Sequence, residues 1–422
     1  MGKIILKDIT LKGKTVDILI DGNKIAAISE SLKPQDEFAD KTQVIDCHGK
    51  EALPGFINMH THAGMSVMRG IGEDMVFQDW ISKIWDVEKN IDGEFVYQAT
   101  RLACLEMIKT GTTTFNDQYW YDLDAYRAVN ELGIRSALSY VFLDKGNENE
   151  SQRQKEECLK YYEEAKKWNN LTQFIISIHA IYSVSEEMML WATNFAREHG
   201  LKIHIHVCET FQEIEDCKKE HNGMTPIEYL DSLGILGSDV IAAHSLWLSE
   251  HDIEILGERG VTCVHNINSN LKLTSGYKFL YKELKEAGVN ICLGTDGCAS
   301  SNNLDMLEAL KTAAMIQKAW RKDPVAMPLD ELLEIASSNG AKALGINTGK
   351  IEVGALADLL IIDTNNYNFI SPAPFLANFI YSAHSDCIDS VIIDGKFVMK
   401  NRIIPNEQEI LDGARKVVNN IK

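Results

Sequence analysis

The chain has 422 residues, 45% of them hydrophobic and 24% charged, with a formal net charge of −19. That length exceeds what one core normally fills, so a large domain with a smaller companion is expected. The acidic balance argues against nucleic acid, whose phosphates need Lys and Arg, and no apolar run approaches the roughly 20 residues of a membrane span. No charged-then-apolar leader opens "MGKIILKDITLKG", and the nine cysteines, from Cys47 to Cys387, contain no C-x-x-C pair. Both features predict a cytoplasmic chain with unpaired thiols.

The first fifty residues read as short strands and turns, including "TVDILIDGNKIAAIS" with its Asp-Gly hairpin signal. Strand-like and helix-like segments then alternate. The inner strand candidates are "FINMHTHA", "TTTFND", "RSALSYVF", "FIISIHA", "KIHIHVCE", "VIAAHS", "TCVHNI" and "NICLGTD". Helical stretches such as "GEFVYQATRLACLEMIKT", "SQRQKEECLKYYEEAKKW" and "SEEMMLWATNFAREHG" lie between them. Eight strands separated by helices predict an α/β fold, a (β/α)8 TIM barrel over residues 53–347. Neither G-x-G-x-x-G nor G-x-x-x-x-G-K-[ST] occurs, so an open nucleotide-binding sheet lacks its signature. "GKIEVGALADLLIID" and "CIDSVIIDGKFVMKNRIIP" return to strand at the far end. A small β-sandwich domain is therefore expected from both termini, residues 1–52 and 348–422, with "NEQEILDGARKVVNNIK" as a closing helix.

Polar groups collect at the strand ends. His60 and His62 end the first barrel strand and, as i and i+2, point to one side. His179 ends "FIISIHA"; His204, His206 and Glu209 end "KIHIHVCE"; His244 ends "VIAAHS"; His265 follows "TCV"; Asp296 follows "NICLG". Six strands thus deliver His or Asp to the C-terminal rim, where such barrels place their active sites. Imidazole nitrogens with a carboxylate oxygen are the ligands zinc favours, so the rim is read as a metal site. Spacing alone does not choose between His204 and His206. His48, His199, His221, His251 and His384 read as core or solvent-exposed histidines.

The segments "PGFINMHTHAGMSVMRGIGEDMVFQDWI", "GTTTFND", "HIHVCET", "AAHSLWLSE", "HNINSNLKLTSG", "LGTDGCASSNN" and "GKIEVGALADLLIID" resemble the amidohydrolase superfamily, in particular its 5′-methylthioadenosine/S-adenosylhomocysteine deaminase branch. The resemblance spans nearly the whole chain. It implies one divalent metal, usually zinc and in some relatives iron, held by His60, His62, His206 and Asp296. The H-x-x-E pattern selects His206, with His204 as a structural neighbour. "FIISIHA" offers no lysine to bridge a second metal, so a mononuclear site is expected. Asp296 and Glu209 are expected to move protons and His244 to orient the attacking water.

The resemblance also places Trp80 and Glu88 at the ribose and His179 and Ser300 at the base. Relatives that take S-adenosylhomocysteine carry an arginine in the segment matching "RSALSYVFLD", where this chain has Tyr140; Arg153 matches a second arginine that would reach the amino-acid carboxylate. "HAIY" and "HNINSN" also depart from relatives, which often have proline there. An adenine nucleoside with a small or apolar 5′ group is therefore the expected substrate. Deamination of another ring (guanine, cytosine, pterin or s-triazine) is the alternative. A non-catalytic metal-binding scaffold would have lost Glu209, His244 or Asp296, and all three are present. Relatives often assemble into homo-oligomers, but no interface stripe specifies one here.

Overall fold

The computed structural model describes residues 2–32 and 42–418. The strands, in chain order, are β1 (Lys3–Leu11), β2 (Lys14–Asp21), β3 (Lys24–Ser29), β4 (Thr42–Asp46), β5 (Lys50–Pro54), β6 (Phe56–Thr61), β7 (Thr112–Asp117), β8 (Arg135–Phe142), β9 (Thr172–Ala180), β10 (Ile203–Val207), β11 (Val240–His244), β12 (Thr262–His265), β13 (Asn290–Leu293), β14 (Leu359–Asp363), β15 (Ile388–Ile393) and β16 (Lys396–Met399). Helices α1 (Phe77–Glu88), α2 (Gly93–Lys109), α3 (Asp122–Leu132), α4 (Glu148–Ala165), α5 (Glu186–Glu198) and α6 (Phe211–Glu220) follow β6, β7, β8, β9 and β10.

β6 to β13 pair in sequence order, each parallel to the next. They are buried on both faces almost throughout, which is why they read as near-continuous apolar runs. Side chains close the ring where β13 meets β6. Asn58 Nδ2 donates to Thr295 Oγ1 at 2.7 Å, Asn58 Oδ1 accepts from Thr295 N at 3.0 Å, and Asp296 N donates to His60 O at 2.9 Å. The approach requires glycine at position 294, where a Cβ would lie 2.9 Å from His60 N. Inside the barrel Ile57, Met59, Ala137, Ile175, Ile241, Val264 and Cys292 form an apolar cluster with Ala341 and Leu344 of the helix Ser338–Leu344. Polar side chains gather beyond it, at the C-terminal strand ends.

The helices begin where the sequence supplies caps. Asp92, Asn147 and Ser185 each accept a backbone N–H in the first turn of α2, α4 and α5. The α4 cap starts that helix three residues before "SQRQKEECLKYYEEAKKW".

The chain ends share a second, mixed sheet in the order β16-β15-β14-β5-β1-β2-β3, with β4 on β1. β5 runs antiparallel to β14, which joins the N-terminal strands to the C-terminal ones. Ile4, Leu6, Ile9, Ile18, Ile20, Leu359, Ile361 and Ile392 form its core. The closing helix spans Glu407–Val418, and residues 419–422 lie outside those described. It docks on the barrel rather than the sheet: the buried Arg101 of α2 donates to Glu409 at 2.9 Å, and Lys109 pairs with Glu407 at 2.7 Å.

Candidate active site

β6, β10, β11 and the turn after β13 bring His60, His62, His206, His244 and Asp296 together. Ligand atoms of His60, His62 and Asp296 all lie within 4.8 Å of one another, as do those of His60, His206 and His244. Asp296 Oδ1 sits 3.4 Å from His60 Nε2 and 3.2 Å from His62 Nε2, and its Oδ2 lies 4.0 Å from His244 Nε2. Asp296 and His244 both adopt left-handed backbone conformations, φ +64° and +71°. Such conformations are costly outside glycine and collect at functional sites.

Each imidazole is aimed by its other nitrogen. His62 Nδ1 donates to Gln118 O at 2.5 Å and His206 Nδ1 to His179 O at 2.8 Å. Carbonyls only accept, so both rings turn Nε2 toward the centre. His244 Nδ1 donates to Asn270 Oδ1 at 2.9 Å. His60 Nδ1 meets His204 Nε2 at 3.0 Å, while Asn116 Nδ2 lies 3.2 Å from His204 Nδ1. His204 therefore backs His60, and His206 is the member of the pair that enters the cluster.

Burial lowers His60 to about 4 and drives His206 well below the usual imidazole range. Burial opposes the charge on His62 as well, but its contact with Asp296 wins and raises it to about 9. Burial alone would raise Asp296; the two histidines hold it well below the usual carboxylate range. His60 Nε2 is buried without a hydrogen-bond partner. Four inward imidazoles with one carboxylate supply more than the donors a divalent cation needs, so three of them with Asp296 fit its ligand set.

Glu209 faces this cluster. Its Oε2 lies 3.7 Å from His244 Nε2, and its Oε1 accepts from Ser275 Oγ at 3.4 Å. The loop is fixed by Glu213, whose carboxylate accepts from Cys208 N at 2.8 Å and Glu209 N at 2.9 Å. Burial raises Glu209 above the usual carboxylate range, suiting it to carry a proton.

A cavity of about 70 Å³ opens over the cluster, walled by Trp80, Ile84, Trp85, Glu88, His179 and Tyr182 among others. α1 inserts Trp80 and Glu88. The Trp80 Nε1 donates to Ala299 O at 3.3 Å, and Glu88 Oε1 is buried with no partner. Burial raises the Glu88 carboxyl above its usual range, with Tyr119 and Trp120 beside it. His179 Nδ1 is held 2.7 Å from Ser183 Oγ, and burial lowers it to about 3.

Two expected residues lie outside this lining. Ser300 Oγ donates to Gly297 O at 2.9 Å, and Arg153 is engaged by Glu150 and Glu157 beside a neighbouring space. His265, counted among the rim histidines, stays apart from the cluster: it stacks on Phe279, ring centroids 4.2 Å apart. His199 and His221 likewise pack on Tyr162 and Tyr229. Asn270, Gln118, Glu213, Trp85 and Tyr182 were not anticipated. Glu213 carries a readable signal, since it sits three residues after the α6 cap Thr210.

Barrel, strand-end histidines and buried aspartate together define a hydrolase of the metal-dependent (β/α)8 class. The chain belongs to the amidohydrolase family, whose model matches residues 52–398. It is 43% identical to a 5′-deoxyadenosine deaminase of Methanospirillum hungatei over 88% of this chain and 83% of that one. Identity to a 5-methylthioadenosine/S-adenosylhomocysteine deaminase of Thermococcus sibiricus is 42%, covering 94% and 92%. A solved adenosine deaminase from Xanthomonas campestris with bound zinc superposes with a TM-score of 0.89 at 29% identity, over 99% of this chain and 98% of that one.

Proposed function

We propose that this protein deaminates adenine nucleosides by hydrolysis, with zinc held by His60, His62, His206 and Asp296. The observation that carries the reading is one cavity lined both by the cluster with Glu209 and by Glu88, whose Oε1 is buried without a partner. When bound, the cation acts as a Lewis acid and makes water a nucleophile near neutral pH. His244, its Nδ1 committed to Asn270, presents Nε2 to orient that water. Asp296 Oδ2 and Glu209 accept its two protons. Oxygen adds to C6 of the purine, one proton goes to N1 through Glu209, and the other leaves with the amino group as ammonia. The 6-amino compound becomes its 6-oxo product. Glu88 accepts hydrogen bonds from the ribose hydroxyls, Trp80 packs beside them, and His179 contacts the base.

We also propose that the mixed sheet is a companion domain, residues 1–52 and 348–422, to a catalytic barrel of residues 53–347. All nine cysteines are free and buried, and no described helix is long and apolar enough to cross a membrane. A reducing cytoplasm is the compartment that suits such thiols.

Ammonia release from adenosine, 5′-deoxyadenosine, 5′-methylthioadenosine, guanine and cytosine tests the function. Turnover of the nucleosides, lost on chelation and restored by zinc, is the expected result. Turnover of a free base alone would overturn it in favour of another aminohydrolase.

A further inference from the structure

The cavity continues past Glu88. Trp85, Glu88, Tyr119, Trp120 and Val141 line both the chamber over the cluster and a wider space of about 410 Å³. In the nucleoside reading above, on which this inference rests, Glu88 holds the ribose. A group attached at ribose C5′ therefore enters the wider space.

α4 forms the far wall of that space. Glu150, Arg153, Gln154, Glu157 and Tyr161 recur at helical spacing, so one face of the helix lines it. Arg153 Nε and Nη2 donate to Glu150 at 3.0 and 2.6 Å, and Nη1 donates to Glu157 at 3.0 Å. Tyr140 Oη donates to the same Glu157 oxygen at 2.7 Å. Gln154 Nε2 donates to Glu150 at 2.7 Å. Asp122, 3% exposed, lines the space as well, and its Oδ2 has no partner. Two carboxylates thus hold the one guanidinium, and a third carboxyl group lines the same space. Of the other cations lining the space, Lys89 pairs with Asp86, and Lys145 is exposed, its Nζ 3.9 Å from the Trp85 ring centroid.

An anionic tail would meet a guanidinium already paired through three of its five N–H donors, and would sit beside the two carboxylates that hold it. Bidentate guanidinium–carboxylate pairs are among the stronger charged contacts, and like charges brought together disfavour the wrong ligand. An uncharged tail breaks no ion pair. It meets Val141 and the edge-packed rings of Tyr140 and Tyr161, 5.6 Å apart.

We propose that Glu150 and Glu157, by occupying Arg153, make this space a subsite for uncharged 5′ substituents and set the enzyme against carboxylate-bearing ones. The two acids are specificity determinants, and Arg153 serves as their counter-ion rather than as a carboxylate receptor.

The test compares kcat/KM of the zinc-loaded full chain for three thioethers. These are 5′-methylthioadenosine, S-adenosylhomocysteine, and the decarboxylated analogue of the latter, which keeps the chain length and ammonium and lacks only the carboxylate. S-adenosylhomocysteine should fall at least about tenfold below the methylthio compound, with the decarboxylated analogue much nearer to it. Glu157→Gln should raise the ratio of S-adenosylhomocysteine to methylthioadenosine about tenfold through KM for the former. Glu150→Gln, at the other carboxylate on the same guanidinium, should move the ratio the same way and carries the test if Glu157→Gln fails to fold. An equal preference for all three thioethers, or a decarboxylated analogue as poor as S-adenosylhomocysteine, overturns the proposal. So does a ratio that neither variant moves, or a carboxylate preference that Lys145→Ala removes. No ammonia from any nucleoside would instead bring down the functional reading itself.

Discussion

The proton-carrying role proposed for Glu209 rests on how its side chain is held. The preceding residue, Cys208, takes a left-handed conformation at φ +55°, and the Glu213 carboxylate holds both neighbouring N–H groups. The carboxyl is then buried against His244, and burial raises its proton affinity. Glu209→Gln keeps the shape and removes the transferable proton, so kcat should fall about 10²- to 10⁴-fold. Zinc content by atomic absorption should stay at one per chain; turnover within tenfold of wild type would refute the role. Glu88 works at the other end of the cavity. Its buried, unpartnered oxygen calls for a donor, and hydrogen bonds to charged groups are worth about 1.5–3 kcal/mol. Glu88→Ala should raise KM for adenosine about 10- to 100-fold while leaving competitive inhibition by free adenine nearly unchanged. Equal losses for both would remove the ribose from this position.

At the level of elements, the strands place acids as well as hydrophobic residues. β5 carries Glu51 into the mixed sheet, where burial raises its carboxyl to about 6 despite a hydrogen bond from the Lys12 backbone. A folded-state pKa above the unfolded value means the native state binds the proton more tightly. Stability is therefore present below about pH 4.5 and is lost as pH rises through about 6. The shift corresponds to about 2 kcal/mol at most, and solvent screening reduces the expected loss to about 1 kcal/mol. Glu51→Gln should accordingly stabilise the chain by about 1 kcal/mol at pH 7.5 and make no difference at pH 4, as read from urea midpoints. The same gain at both pH values would rule out ionisation as the cause. The barrel strands were legible because burial on both faces leaves near-continuous apolar runs, as in "FIISI" and "VIAA". His60, His62, His206 and Asp296 were legible because they interrupt those runs at one end. What aims them was hidden: Gln118 and His179 act through carbonyl oxygens that any residue provides. His265 misled for the converse reason, since its strand-end position matches the others while its ring turns onto Phe279. Arg153 was legible in the sequence only as a lone cation, while its helical neighbours at i−3 and i+4, which pair with it, came into view with the helix.

Across the whole molecule, the sheet must hold a fixed position on the barrel, because β5 runs straight into β6, which carries His60 and is followed directly by His62. A buried ion pair is among the contacts that tie the two units. Arg135, at the start of β8, donates through Nε and Nη2 to Asp358 at 2.9 and 3.2 Å, with Asp394 at 3.5 Å from the same guanidinium. Asp358 also accepts from Asp394 N at 2.6 Å, so the arginine neutralises two acids from the segments flanking β14 and β15. Both partners are almost fully shielded from water, and removing one member of a buried pair leaves an uncompensated charge that costs about 3–5 kcal/mol. Arg135→Met keeps most of the apolar stem and deletes the charge. It should lower the unfolding free energy in urea by about that amount, whereas the paired Asp358→Asn change in the same background should recover part of it. The contact lies at the opening residue of its strand, away from the C-terminal rim, so kcat per folded molecule should stay within about twofold of wild type. A large fall in kcat with unchanged stability would mean that the sheet tunes the metal-binding rim through this arginine instead of simply anchoring it.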